Sequence, residues 1–248
     1  MVDFPDISIL EYAARSMPLF PLGRTVLLPH TVLPLHVFEP RYVQLIRHIQ
    51  KSHQLFAIPR LIEQDFFTET ERIQDQPPIH TIAGIAKIMQ VEELPANRFN
   101  IWTVGVGTIH IEEELPIHPL PIEHPDSFLY RRGRGRICLP SFDGDLQSNS
   151  SKSPKHDEIS AKDGKEQFML TKHLLLQVSQ KCPQMQDEVS KILEPDIEPD
   201  CVLNVLAHLF IKSTRQKQCF LEEMNLGQKS VILNDILADI VITCNEET

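Results

Sequence analysis

Proline decides what this chain can become. Its 248 residues hold 19 Pro against 9 Gly, and the prolines crowd the first half. Each proline fixes its own φ and lacks the N–H that a sheet ladder or a helix interior needs. Strands in such a region are short or lie at sheet edges, and helices start at a proline instead of running through one.

The apolar pattern of the first half is mainly that of strands. Leu33, Leu35 and Val37 alternate with Pro34, His36 and Phe38, and Leu55 to Ile58 is a short apolar run ended by Pro59. Two longer runs, 82–91 and 99–111, flank the turn cluster LPAN and predict a hairpin. Ile101, Thr103 and Gly105 are expected on one of its faces, and Trp102, Val104 and Val106 on the other. Gly105 and Gly107 inside the second run mark a bulge or a close backbone approach. One helix interrupts these strands. Pro40 suits a first helical position, and Tyr42, Leu45, Ile46 and Ile49 follow at helical spacing.

The second half has a helical period. Phe168 to Lys181 is stopped by Pro183, and a helix carrying Met185, Val189, Ile192 and Leu193 is stopped by Pro195. Pro199 opens a third, with Val202, Val205, Leu206, Leu209 and Phe210 expected on its buried face. Cys219 to Leu221 belong to a short fourth element, and Gly227 is expected to punctuate before a last helix over 231–242. Between the halves, the Ser- and charge-rich stretch 143–166 has too little apolar surface to offset its ordering entropy, so it reads as a flexible linker or insert. The expected organisation is a β-rich part over 1–142, that linker, and a helical bundle over 167–248.

Several chemistries lack their motifs. No two glycines have P-loop spacing, and Gly105-Val106-Gly107 reaches His110, not a third glycine. There is no GxSxG and no HExxH. The run from Asp143 offers Ser148 and Pro154 where a calcium loop needs glycine and glutamate. His110, His118 and His124 match no compact zinc spacing. No catalytic residue, cofactor or metal is expected. Five widely spaced cysteines without CxxC, and an acidic start without an apolar leader, point to a reduced cytoplasmic setting. The longest nearly apolar stretch, 201–211, is too short to span a membrane. Cys201 and Cys219 read as core. Cys138 is the one cysteine beside an arginine cluster.

That cluster is FLYRRGRGRI, with Arg131, Arg132, Arg134 and Arg136 beside Phe128 and Tyr130. Guanidinium groups next to an aromatic ring can grip a phosphate, an RNA turn or an acidic peptide. The plainer reading is the exposed face of a strand, which a net charge of −10 favours over nucleic-acid binding.

The segment from Met17 to Tyr42, MPLFPLGRTVLLPHTVLPLHVFEPRY, resembles the signature of the Lon protease N-terminal, or substrate-binding, domain. Pro18, Phe20, Pro21, Leu22, Pro29, Leu33 to Leu35, Phe38, Glu39, Pro40, Arg41 and Tyr42 fill the family pattern. AGIAKI at 83–88, FNIWTVGVGTIHI at 99–111, and LAHLF followed by Arg215, Gln216 and FLEEMN are similar to its later segments. Thr108 and Ile85 depart from the family's habit, and 143–166 is additional.

The resemblance implies an α+β protein, a PUA-like β pseudobarrel with one inserted helix followed by a helical bundle. It implies structural roles for the signature residues, with Glu39 and Arg41 pairing beside a helix start and the proline segments forming barrel core and edge. It also implies a non-enzymatic module that binds unfolded or partner polypeptides as an accessory to proteolysis, a separate Lon-type protease being one such partner. Full-length Lon proteases carry ATPase and Ser-Lys peptidase modules, and neither is expected in these 248 residues. Two rival readings are an RNA or phosphate binder using Arg131 to Arg136, and a hydrolase using Cys138 or a His–Asp pair.

Overall fold

The computed structural model describes residues 4–62, 77–116, 128–142, 161–181 and 186–246. The chain is a mixed α/β protein that divides into two units, Met1–Cys138 and Leu139–Thr248. The first holds β1 (Met17–Pro18), β2 (Val32–Val37), β3 (Leu55–Ile58), β4 (Ile82–Leu94), β5 (Arg98–Leu115) and β6 (Arg132–Cys138), with α1 (Ile7–Ala14) and α2 (Pro40–Ile49).

The sheet is antiparallel, in the order β1-β6-β5-β4-β3, with β2 also paired to β5. The path then returns on itself. Beyond β1, Leu19 and Leu22 bridge in parallel to Ala57 and Arg60 beside β3. The Phe20 N–H donates to the Ala57 carbonyl at 2.9 Å and the Leu22 N–H to that of Pro59 at 3.0 Å. On its other side, the same segment donates from Leu19 N–H to the Arg131 carbonyl at 2.8 Å.

Both faces of this sheet are covered. One apolar cluster lies beneath α2 and joins Phe20, Tyr42, Leu45, Ile46, Ile49, Phe56 and Ile101. The other lies beneath α1 and joins Leu10, Ala13, Leu19, Ala57, Ile85, Val104 and Ile109. β3 is therefore apolar at every position, because alternate residues feed different clusters. The five buried apolar side chains of α2, at about 2 kcal/mol each, outweigh any intrinsic helix preference of the segment. The hairpin expectation changes accordingly: Val104 and Val106 are buried like Ile101 and Thr103, and Trp102 stands out at 37% exposure. Helix α1 has no counterpart in the sequence reading, because Ile7, Ile9 and Tyr12 are exposed and blur its periodicity.

Two glycines let a loop cross the sheet at backbone distance. A Cβ at Gly84 would meet the Leu27 carbonyl oxygen, and one at Gly105 the Leu28 carbonyl oxygen. The Gly105 N–H donates to the Thr31 carbonyl at 2.9 Å, and its own carbonyl accepts from His30 N–H at 2.8 Å. The β4–β5 register slips at this point, with Ile85 opposite Gly107 and Ala86 opposite Gly105. Of the glycines read as bulge or close approach, Gly105 shows both, and Gly107 lies at the register slip without a close backbone neighbour.

The second unit contains α3 (Ala161–Lys181), α4 (Gln186–Ile192), α5 (Pro199–Phe210), α6 (Thr214–Glu222) and α7 (Leu226–Glu246). α3 begins inside the stretch expected to be linker, so 161–166 is helical, while 143–160 lies outside the described residues. The reason is a tertiary contact. Gly164 packs against Gly227, whose added Cβ would sit 2.6 Å from the Gly164 Cα. Gly227 therefore does not precede the last helix; it lies in the first turn of α7, where close helix contact requires it. A buried polar clasp joins the same two helices: Thr171 Oγ1 donates to Asn234 Oδ1 at 2.7 Å, and Asn234 Nδ2 donates to the Gln167 carbonyl at 3.1 Å.

The buried face of α5 is Val202, Leu203, Asn204, Leu206 and Ala207, rotated from expectation, with Leu209 43% exposed. Cys201 is half-buried and Cys219 exposed, so neither is core. Lys229 of α7 is buried with its Nζ 3.4 Å from Asp200 Oδ1, and burial pulls its pKa down. No described helix is long and apolar enough to cross a membrane.

Replacing Gly105 by Ala should lower the free energy of unfolding by about 3 kcal/mol, since backbone and not a pliable side chain blocks the new methyl. Ala96 holds φ 62 in the β4–β5 turn. Ala96→Gly should instead raise stability by about 1 kcal/mol by relieving that conformation. Denaturant titration of the two variants beside the parent measures both, and equal midpoints for Gly105→Ala and the parent would contradict the tight crossing.

Candidate functional site

The closing segment and the start of α2 meet at one cavity. Pro18 is buried in β1, and residues 19–22 run between β6 and β3. This carries Phe20 inward to stack on Tyr42, ring centroids 4.0 Å apart and planes 18° off parallel. Pro40 sits at the head of α2, which turns Tyr42 toward the core and leaves Glu39 and Arg41 at the rim. The cavity that results measures about 270 Å³, and its walls include Phe20, Leu22, Phe38, Tyr42 and Leu61.

Its polar parts are already paired. Arg41 Nε donates to Glu39 Oε2 at 2.9 Å, and its guanidinium lies 4.6 Å from the centre of the Tyr42 ring. Burial pushes the Tyr42 hydroxyl pKa up. Arg131, at the cavity wall, is buried and makes a fork: Nε to Glu114 Oε2 at 2.7 Å and Nη2 to Glu114 Oε1 at 2.6 Å. Its Nη1 donates to the Pro77 carbonyl at 2.7 Å. Phe38 is 62% exposed at this mouth. A cavity with apolar walls and satisfied charges favours an apolar group over an ion. None of its described lining residues pairs a nucleophile with a base.

The arginine cluster is a strand, and the strand disperses it. The β5–β6 register places Glu113 opposite Arg134 and skips Glu112 in a bulge. The bulge lets three consecutive glutamates serve three arginines: Glu112 with Arg136 at 3.3 Å, Glu113 with Arg134 at 3.4 Å, and Glu114 with Arg131. The outer two pairs are exposed and each contributes about 0–1 kcal/mol.

Arg132 differs. Its guanidinium lies 3.9 Å from the centre of the Phe128 ring, and its Nη1 donates to Ser16 Oγ at 3.3 Å. It lines a second cavity, of about 350 Å³, at the far end of α2 with His48, Lys51, Ser52, His53 and Tyr130. His48 Nδ1 is 3.0 Å from the Tyr130 hydroxyl, and burial raises that hydroxyl's pKa to about 12. Burial lowers the pKa of both His48 and His53, with Lys51 adding to the effect at His48.

Of the signature residues, Phe20, Pro21, Leu22, Phe38, Glu39, Arg41 and Tyr42 line the first cavity; Pro18 lines the second, and Pro34 lies exposed on β2. Sequence reasoning missed Leu61, Pro77 and the second cavity's His48, Lys51 and His53, which no periodicity links. The Glu112 to Glu114 run was the one available signal for the arginine pairing. Among the described residues no three His, Cys, Asp or Glu side chains are placed to hold a metal ion. His118 and His124 lie outside the described residues.

The pattern of the ATP-dependent protease La (LON) substrate-binding domain matches residues 16–239. Lon protease of Koribacter versatilis is 25% identical over 228 residues, covering 91% of this chain and 24% of that protein. Lon protease of Heliobacterium modesticaldum is 25% identical over 233 residues, again covering 24% of its own length. The chain thus spans about a quarter of the curated relatives it matches. The N-terminal domain of Mycobacterium avium complex Lon protease superposes with a TM-score of 0.58 at 18% identity, covering 90% of this chain and 98% of that one. A Lon N-terminal domain protein from Xanthomonas campestris gives 0.54 at 18% identity, covering 88% and 96%.

Two outcomes follow from this geometry. Arg131→Ala strips the partner from Glu114 and should cost about 2–3 kcal/mol of stability, whereas Arg134→Ala should cost under about 1 kcal/mol; thermal unfolding of the two separates them. A histidine whose folded pKa lies below its ordinary 6.5 gives stability that is present above 6.5 and lost as pH falls from there through the lower folded pKa. In a phosphate-free buffer, unfolding free energy should therefore drop from pH 7.5 to 5.5, and a His48→Gln/His53→Gln variant should flatten the drop.

Proposed function

The chain belongs to the ATP-dependent protease La (LON) substrate-binding domain family, and on that premise we propose that it is a non-catalytic module that binds polypeptides. We place recognition at the cavity between the closing segment and α2. The observation that carries this is convergence: seven residues of the family signature, 20–22, 38–39 and 41–42, line that single space. At about 270 Å³ it is at the small end of ligand sites and suits one apolar side chain of an extended polypeptide better than a cofactor. Phe38 at the mouth supplies exposed apolar surface.

The returning ring of strands is read as a PUA-like pseudobarrel that holds the cavity rigid, and the second unit's helices as a bundle. The bound chain is an unfolded or partner polypeptide, and the role is that of an accessory to proteolysis, with a Lon-type protease as the partner that cleaves. Three of the four arginines of the 131–136 cluster already face glutamates, which favours polypeptide over RNA.

Fluorescence anisotropy with a labelled, permanently unfolded casein tests the reading. Saturable binding is expected, weakened about fivefold by Phe38→Ser, whose exposed side chain leaves the melting temperature unchanged. Absence of casein binding, or full binding by Phe38→Ser and by a cavity-filling Leu22→Trp alike, would refute it.

A further inference from the structure

The second cavity has a chemistry opposite to the first. Its walls carry Lys51, Arg132, His48 and His53, the hydroxyls of Ser16 and Ser52, and no carboxylate among its described lining residues. The chain as a whole has 34 acids against 24 bases. Arg41, Arg131, Arg134 and Arg136 each face a glutamate. Arg132 and Lys51 have no acid within ion-pair distance among the described residues.

Arg132 is also held in place. Phe128 supports the plane of its guanidinium, Ser16 takes one N–H, and Phe128 is itself fixed by T-shaped contacts to His48 and Tyr130 at 5.6 and 5.5 Å. A fork with most of its N–H groups uncommitted, set on a rigid ring, is organised to receive a tetrahedral oxyanion. The rings are engaged with one another and with Arg132, so recognition falls to charge and hydrogen bonds, not to stacking of a base.

One opposing effect needs weighing. The cavity lies by the C-terminus of α2, whose dipole end repels anions, and Lys51 alone is explained as its countercharge. The last carbonyls there are occupied: those of Ile46, His48 and Ile49 accept from Gln50, Lys51, Ser52 and Gln54 N–H groups. Arg132 comes from β6, a different element, and needs no such explanation.

We propose that this cavity is a binding site for a phosphate-class dianion, free or as the monoester of a small molecule, with Arg132 as its anchor and Lys51, His48 and His53 around it. The site is independent of the polypeptide cavity, and either can exist without the other.

Calorimetric titration of the full chain with inorganic phosphate, at constant ionic strength set by chloride, tests it. One saturable site with a dissociation constant of about 1 mM or tighter is expected. Arg132→Gln should weaken it about tenfold and Lys51→Gln about threefold, while Arg134→Gln leaves it unchanged. Lys51 is exposed, so its variant remains informative even if Arg132→Gln disturbs folding. Adenosine monophosphate and phosphoserine arms identify the source: tighter binding of either supports the site and names an ester, and equal binding supports it with free phosphate as ligand. No saturable phosphate heat, or equal losses from Arg134→Gln and Arg132→Gln, would overturn it. So would tight binding of single-stranded RNA that phosphate does not displace.

Discussion

The sheet closes because one short segment is hydrogen-bonded on both its sides. Leu19 donates toward β6, while Phe20 and Leu22 donate toward β3. Pro18 precedes these donors and Pro21 falls between the last two, and neither position needs an N–H for them. Proline in an interior strand ordinarily breaks a ladder. Here the ladder changes partner within five residues, and the prolines occupy the switch. Remove this exchange and the sheet has two unpaired edges, α2 has no Phe20 to rest on, and each cavity loses part of its wall.

The same segment sorts the chemistry of the two ends of α2. Toward Leu22 the chain enters apolar surroundings and meets Tyr42 and Phe38. Toward Ser16 it meets Arg132, whose neighbour Arg131 faces the opposite cavity. Adjacent residues of an extended strand point to opposite sides, so a single pair of arginines lines two cavities. Arg131 is buried and must be paired, since a lone buried cation would cost several kcal/mol. Arg132 is half-buried and carries no such demand.

Much of this architecture was legible beforehand, and the failures have physical causes. α2 was readable because a proline start and a clean apolar stripe agree. The long hairpin was readable from its turn cluster, and the glycine crossing from two glycines inside a strand. The faces of β5 were not, because a strand buried on both sides has no alternation to read. The start of α3 was hidden by a polar surface over residues 162–166, where the informative feature is a glycine that packs on another glycine 63 positions away. Of the proline segments expected as core and edge, Pro-Leu-Phe-Pro is hydrogen-bonded on both sides, and Pro34 lies on a strand, β2, paired on one side only. The cavities were invisible for a different reason. Their walls come from residues between 16 and 132, and only the register of the strands assembles them.

Net charge is likewise a sum that no single cavity senses. A total of −10 argues against anion binding only if charge is spread evenly, and it is not. Charges separated by more than about 8 Å at physiological salt scarcely sense each other. What an anion meets at one cavity is therefore set by the few side chains within that radius. On β5 the glutamates 112–114 stand beside 131, 134 and 136 because of one bulged residue. The register that neutralises those three arginines puts Leu115, not a fourth glutamate, opposite Arg132. Shift the pairing by one residue and the acidic run reaches Arg132 while another arginine loses its partner. The local sign of the second cavity is thus a consequence of strand register, which no sum over the sequence contains.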